Sequence, residues 1–102
     1  MPKLRFSHLA ERDLLSLGAY TLRTWGSVQT ARYLTDLEDC CRLLTGNPAL
    51  GYTCDHVRPG LRCIEKGRHA VFYREESSGV YVVRILHQRM LPERHDIESE
   101  ME

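Results

Sequence analysis

Residues 69–87 read HAVFYREESSGVYVVRILH, and the alternation within this stretch decides the fold. Val71, Phe72, Tyr73, Val80, Tyr81, Val82, Val83 and Ile85 are β-branched, aromatic or aliphatic types that suit a pleated, half-buried surface. Ser77-Ser78-Gly79 separates His69–Glu75 from Val80–His87 and is short enough to make the two an antiparallel hairpin. A third candidate strand, Leu61–Glu65, joins His69 through Lys66-Gly67, so this half of the chain reads as a three-stranded meander.

Upstream, the period changes from two to that of a helix. Ala10, Leu14, Leu17 and Thr21 recur at intervals of four, three and four, which predicts a helix over His8–Trp25 with Ser7 as its N-cap. Gly26 ends it, and Ser27 is the expected cap of the next. Val28, Ala31, Leu34, Leu37, Cys41 and Leu44 make one continuous apolar stripe that stops before Gly46 and Pro48. With only Gly26-Ser27 between them, the helices should form an antiparallel hairpin. Trp25, at the junction, reads as core, with a partner-binding anchor as the alternative. Lys3–Phe6 alternates like a half-buried first strand, and 47–60, punctuated by Pro48, Gly51, Pro59 and Gly60, reads as a loop. The expected architecture is α+β in the order β-α-α-β-β-β, a small antiparallel sheet packed on an N-terminal helical hairpin. The helices should cover one sheet face and leave the other partly open. Residues 1–95 are expected to form a single domain, with 96–102, DIESEME, as an acidic tail able to stay disordered.

The formal net charge of zero hides an uneven distribution. Residues 58–95 carry eight Lys/Arg against four Asp/Glu, and 96–102 carry four acids and no base. A basic half of this kind faces either solvent or an acidic partner; it is too weak a patch to imply sequence-specific nucleic-acid binding. No apolar run approaches the roughly 20 residues of a membrane span, and the start lacks the apolar block of a signal peptide. A cytoplasmic chain without membrane contact is expected. Cys40, Cys41, Cys54 and Cys63 form no C-x-x-C pair and are expected to be reduced, small apolar residues. Cys54 and His56 are two ligands at most, so no metal is expected. Asp36, Glu38 and Asp39 read as a solvated helix face.

Metal-free cleavage of RNA needs a base for the 2′-hydroxyl, an acid for the leaving oxygen and cations for the phosphate. The sheet half offers Arg58, Arg62, Lys66, Arg68, His69, Arg74, Arg84, His87, Arg89, Arg94 and His95. Alternation places His69, Val71 and Tyr73 on one strand face and sends Arg84 and His87 to opposite faces, so these groups cannot all converge. The bland alternatives are histidines bonded within the sheet, Arg84 paired with Glu75 or Glu76, and solvated Arg94 and His95.

Several blocks, taken in order over about residues 4–95, resemble the ParE branch of the RelE/ParE toxin superfamily. They are Ala10 with Asp13-Leu14, Tyr20 with Trp25-Gly26, Asn47-Pro48 with Gly51, and Arg58-Pro59-Gly60 with Arg62. Gly67 and His69 with Phe72-Tyr73-Arg74 follow, then Arg84-Ile85-Leu86-His87 with Arg89-Met90. The resemblance implies a small sheet on a helical hairpin. It also implies a toxin of a type II toxin–antitoxin pair that inhibits DNA gyrase by binding, takes no cofactor, needs no catalytic residue and is neutralised by a ParD-like antitoxin. Arg58, Arg62, Arg68, Arg74, Arg84 and Arg89 are the expected contacts to antitoxin or target. The ribonuclease branch of the superfamily supplies the alternative, a ribosome-dependent endoribonuclease using Arg62, His69, His87 and Arg89. A degenerate, non-toxic interaction protein is a third reading. It is motivated by Leu91, which stands where the ParE pattern usually continues with Asp.

Overall fold

The computed structural model describes residues 3–87. The chain runs β1 (Lys3–Phe6), α1 (His8–Trp25), α2 (Ser27–Gly46), a single 3-10 turn over Pro48–Leu50, then β2 (Tyr52–Thr53), β3 (Arg62–Lys66), β4 (His69–Glu76) and β5 (Gly79–His87). The α+β class and the hairpin-on-sheet arrangement are as expected. The sheet, however, is five-stranded and mixed, in the order β1-β5-β4-β3-β2. The meander β3-β4-β5 is antiparallel, but β1 lies parallel to β5, with Lys3 opposite Gly79 and Phe6 opposite Val82. β1 approaches so closely that a Cβ on Gly79 would run into the Lys3 backbone, and Gly79 adopts φ +151°, a conformation open to glycine. The additional strand β2 falls inside the segment read as loop; its two residues pair with Cys63 and Arg62.

Ser7 caps α1 as expected, accepting from the Ala10 N–H at 2.9 Å, and its own hydroxyl donates to the Val83 carbonyl at 2.6 Å. One side chain therefore fixes the start of α1 to β5. Ser27 does not cap α2; it is the first residue of that helix, and Gly26 occupies the cap. The buried face of α2 also differs from the expected stripe. Thr30, Leu37, Cys40, Cys41 and Leu44 are buried, whereas Val28 is 72% exposed. Trp25 is 60% exposed, which overturns its reading as core.

The core lies in two layers. Between helices and sheet, Ala10, Leu17, Leu37, Cys41 and Leu44 pack on Val71, Tyr73, Val80, Val82 and Ile85. The other sheet face is not open. Cys54, Leu61, Cys63, Phe72, Tyr81, Val83 and Leu86 form a second buried cluster there. The physical cause lies partly in the β2–β3 connection, which brings Cys54 and Leu61 onto this face, joined by a bond from Cys54 N–H to Leu61 O. Two guanidiniums complete the cover over Tyr81: Arg5 and Arg74 sit 4.5 and 4.9 Å from its ring centroid.

Candidate functional site

The alternation of β4 and β5 is interrupted once. Phe72 pairs with Arg84 and Tyr73 with Val82, so Val83 is the extra residue of a bulge. Beyond it, β1 has ended, and no strand among the described residues pairs with the outer edge of β5. Asp13 of α1 takes that place. Its Oδ2 accepts from the Ile85 N–H at 3.0 Å and from Arg84 Nε at 2.8 Å, while Oδ1 accepts from Arg84 Nη2 at 3.0 Å. The fork-to-fork geometry leaves Arg84 only 9% exposed. Arg84 thus pairs with Asp13 and not with Glu75 or Glu76; Glu76 receives Arg5 instead, at 3.1 and 3.2 Å.

His69 and His87 face each other at the end of the same hairpin, edge to face, with ring centroids 5.5 Å apart. Tyr33 of α2 reaches them from the helical side. Its hydroxyl lies 2.6 Å from His69 Nδ1, donates toward Lys66 O at 3.2 Å and accepts from the Arg68 N–H at 3.2 Å. Burial, and then the neighbouring His87, hold the His69 imidazole below its ordinary pKa, against a smaller opposing pull from Asp13. With the Tyr33 proton directed to Lys66 O, the 2.6 Å contact is made by the neutral His69 ring donating its Nδ1–H to the hydroxyl oxygen. This closed group anchors the β3–β4 turn to α2.

Arg62 is committed inward as well. Its Nη2 donates to Gly51 O at 2.6 Å and to Ala49 O at 3.2 Å. Tyr73, fully buried, accepts from the Gly51 N–H at 2.9 Å and donates to Pro48 O at 2.7 Å. The two side chains together pin the turn 48–51 to β3 and β4. Of the remaining expected contacts, Arg58 is exposed on the β2–β3 connection, Arg68 is exposed on the β3–β4 turn, and Arg74 is half-buried over Tyr81. Arg89, Leu91, Arg94 and His95 lie outside the described residues.

The ribonuclease constellation is thus only partly assembled. His69 and His87 meet, but in ring contact, which leaves no gap for a phosphate between them. Arg62 is held by carbonyls of the turn 48–51. Tyr33 and Asp13 are the partners that sequence reasoning did not assign. Both had a signal. Asp13 stands three residues after Ala10 on the core-facing side of α1, where a carboxylate requires a cation or N–H. Tyr33 stands three after Thr30 and four before Leu37 on the buried side of α2.

Among the described residues no group of three or more His, Cys, Asp or Glu is placed to hold a metal ion. All four cysteines are buried and none is in a disulfide; burial pushes the Cys41 thiol up to about 12 and the Cys63 thiol up to about 11, far from nucleophilic thiolates. No described helix is long and apolar enough to cross a membrane.

Comparison with known proteins places these features in context. A family model described as the ParE toxin of the type II toxin–antitoxin system parDE matches residues 4–92. Toxin ParE1 of Mycobacterium tuberculosis is 39% identical over 85 residues, covering 82% of this chain and 87% of that protein. Toxin ParE1 of Caulobacter vibrioides is 33% identical over 95 residues, covering 93% and 98%. A solved chain described as a chromosomal ParDE system from P. aeruginosa superposes with a TM-score of 0.72 over 85% of this chain and 96% of its own; at 19% identity it bears on the fold alone.

Proposed function

The chain belongs to the ParE toxin family of type II toxin–antitoxin systems, and on that premise we propose that it acts by binding DNA gyrase, without chemistry of its own, and is neutralised by a ParD-like antitoxin. The observation that carries the choice of binding over RNA cleavage is the internal commitment of the cationic groups. Arg62 holds the turn 48–51, Arg84 closes on Asp13, and the His69 and His87 rings meet edge to face. A phosphoryl-transfer site needs cations and a general acid–base pair aimed at one vacant point. Here Arg62, Arg84, His69 and His87 are engaged with the protein itself.

The exposed arginines Arg58 and Arg68, with Arg74 beside Tyr81, remain the natural contacts for an acidic antitoxin segment that folds as it binds. Arg62 and Arg84 contribute by shaping the sheet edge and not by direct contact. A supercoiling assay with purified gyrase tests the proposal. Inhibition by the purified chain, relieved by the co-purified antitoxin, is the expected result. Unchanged supercoiling at large toxin excess would refute it.

A further inference from the structure

Two thiols meet in the cluster on the sheet face away from the helices. β2 and β3 pair Tyr52 with Cys63 and Thr53 with Arg62, and the bond from Cys54 N–H to Leu61 O, at 2.7 Å, carries the ladder one row further. Cys54 therefore stands diagonally across from Cys63 on the same face, and both belong to one buried cluster with Leu61 and Phe72. Their side chains lie within hydrogen-bonding reach of each other. Cys40 and Cys41 are placed differently. They are consecutive on α2, where neighbouring side chains diverge by about 100°, and Cys41 packs in the cluster on the opposite side of the sheet.

Between Cys54 and Cys63 the chain makes an arch. Asp55, His56, Arg58, Pro59 and Gly60 are exposed on it, and Val57 turns inward onto the cluster. The arch is held largely by bonds among its own residues. The Val57 and Arg58 N–H groups donate to Cys54 O, Leu61 N–H donates to Arg58 O, and Gly60 N–H donates to Asp55 Oδ1. The strand that leads into it, β2, is two residues long and lies at the edge of the described sheet. So few ladder bonds make this segment cheaper to open than the strands inside the sheet.

We propose that Cys54 and Cys63 are a site of oxidative modification, a dithiol that a small peroxide converts into an intrachain disulfide stapling the arch. One sulfur attacks a peroxide oxygen; the O–O bond breaks, water leaves and a sulfenic acid remains. The second sulfur attacks the first. The S–S bond forms, the S–O bond breaks, and the hydroxyl leaves as a second water with the thiol's proton. Hydrogen peroxide takes up the two electrons that the two thiols give. Burial holds the Cys63 thiol up at about 11, against the smaller pull of a hydrogen bond from Tyr52, so the closed fold reacts slowly and attack follows opening of the arch. Once one sulfur is oxidised, the other is already beside it, which favours the disulfide over further oxidation. Arg58, named above as a contact for the antitoxin, rides on the stapled arch. That consequence rests on the binding reading; the bond itself concerns the chain alone, and a failed supercoiling assay leaves it intact.

Hydrogen peroxide added to the reduced full chain tests the proposal, with thiols counted after acid quenching and denaturation and with the linked peptides mapped. The expected result is a fall from four thiols to two, with Cys54 joined to Cys63 within one chain, and a return to four on treatment with dithiothreitol. The rate should rise about tenfold from about pH 7 to about pH 8, as attack by a thiolate requires. The oxidised chain should unfold at higher urea concentration, its folded-to-unfolded ratio raised about a hundredfold by closure of a loop of about ten residues. Cys54→Ala and Cys63→Ala should each abolish the bond, and should either variant fail to fold, the peptide map of the natural chain still decides. Four thiols retained, a linkage through Cys40 or Cys41, a bond between chains, or an oxidised chain no harder to unfold would overturn the proposal.

Discussion

Asp13 joins two elements through one carboxylate. It satisfies the Ile85 N–H at the strand edge and neutralises a guanidinium that has almost no access to water. Removing it leaves a buried cation and an orphan N–H, so Asp13→Ala is expected to cost about 3 kcal/mol, read from urea unfolding. Arg84→Met should cost less, because it removes a buried charge along with its partner interaction. His69 gives a second residue-scale expectation. Its folded pKa lies below the unfolded value, so in the pH range below about 6.5 the unfolded chain binds more protons. The contribution of neutral His69 is complete above that range and is lost as pH falls through the lowered folded value. Unfolding free energy followed from pH 7 to about pH 5 should therefore decline. His69→Gln should flatten the slope.

At the scale of elements, the β3–β4 turn shows how closely helix and sheet are fitted. Gly67 has φ +61°, and a Cβ there would come within 2.7 Å of the Tyr33 ring, which is itself held by His69. Gly67→Ala is expected to destabilise by about 2 kcal/mol, measured as a fall in Tm, and Tyr33→Ala should recover the steric part but not the backbone part. The strands of this hairpin were legible to within a residue, because residues 61–87 alternate and carry glycine at each connection. The helices were legible from their stripes, and the Ser7 cap from its position. Other features were not. β2 is two residues long, too short for any period to register. The direction of β1 depends on which strand it joins, and its alternation says nothing of that. The position of Trp25 at a helix junction and of Val28 at the head of an apolar stripe both point to the core, yet the two are 60% and 72% exposed, because the stripes run past the last turn that faces the sheet. Of the candidate site, the sequence showed which residues carry charge but not that Asp13, Tyr33 and the carbonyls of 49 and 51 claim them, since those partners are distant in the chain.

At the scale of the whole molecule, residues 3–87 form a sheet with a buried cluster on each face, clasped at its edges by polar contacts. Helix α1 closes the edge of β5 past the end of β1 through Asp13, α2 holds the β3–β4 turn through Tyr33, and Arg62 with Tyr73 holds the turn 48–51. The blocks in which the sequence resembles ParE toxins coincide with these clasps: Asp13 with Arg84 and Ile85, Pro48 and Gly51 with Arg62 and Tyr73, Gly67 with His69. On this account they preserve a rigid surface for partners, and the histidines are structural. The most direct measurement is plasmid topology, together with message integrity, in cells expressing the toxin without antitoxin, for the natural chain and for a His69→Gln, His87→Gln variant shown to be folded. The account predicts loss of negative supercoiling in both, with messages intact. Messages cleaved by the natural chain and spared by the variant, with supercoiling unchanged, would contradict it.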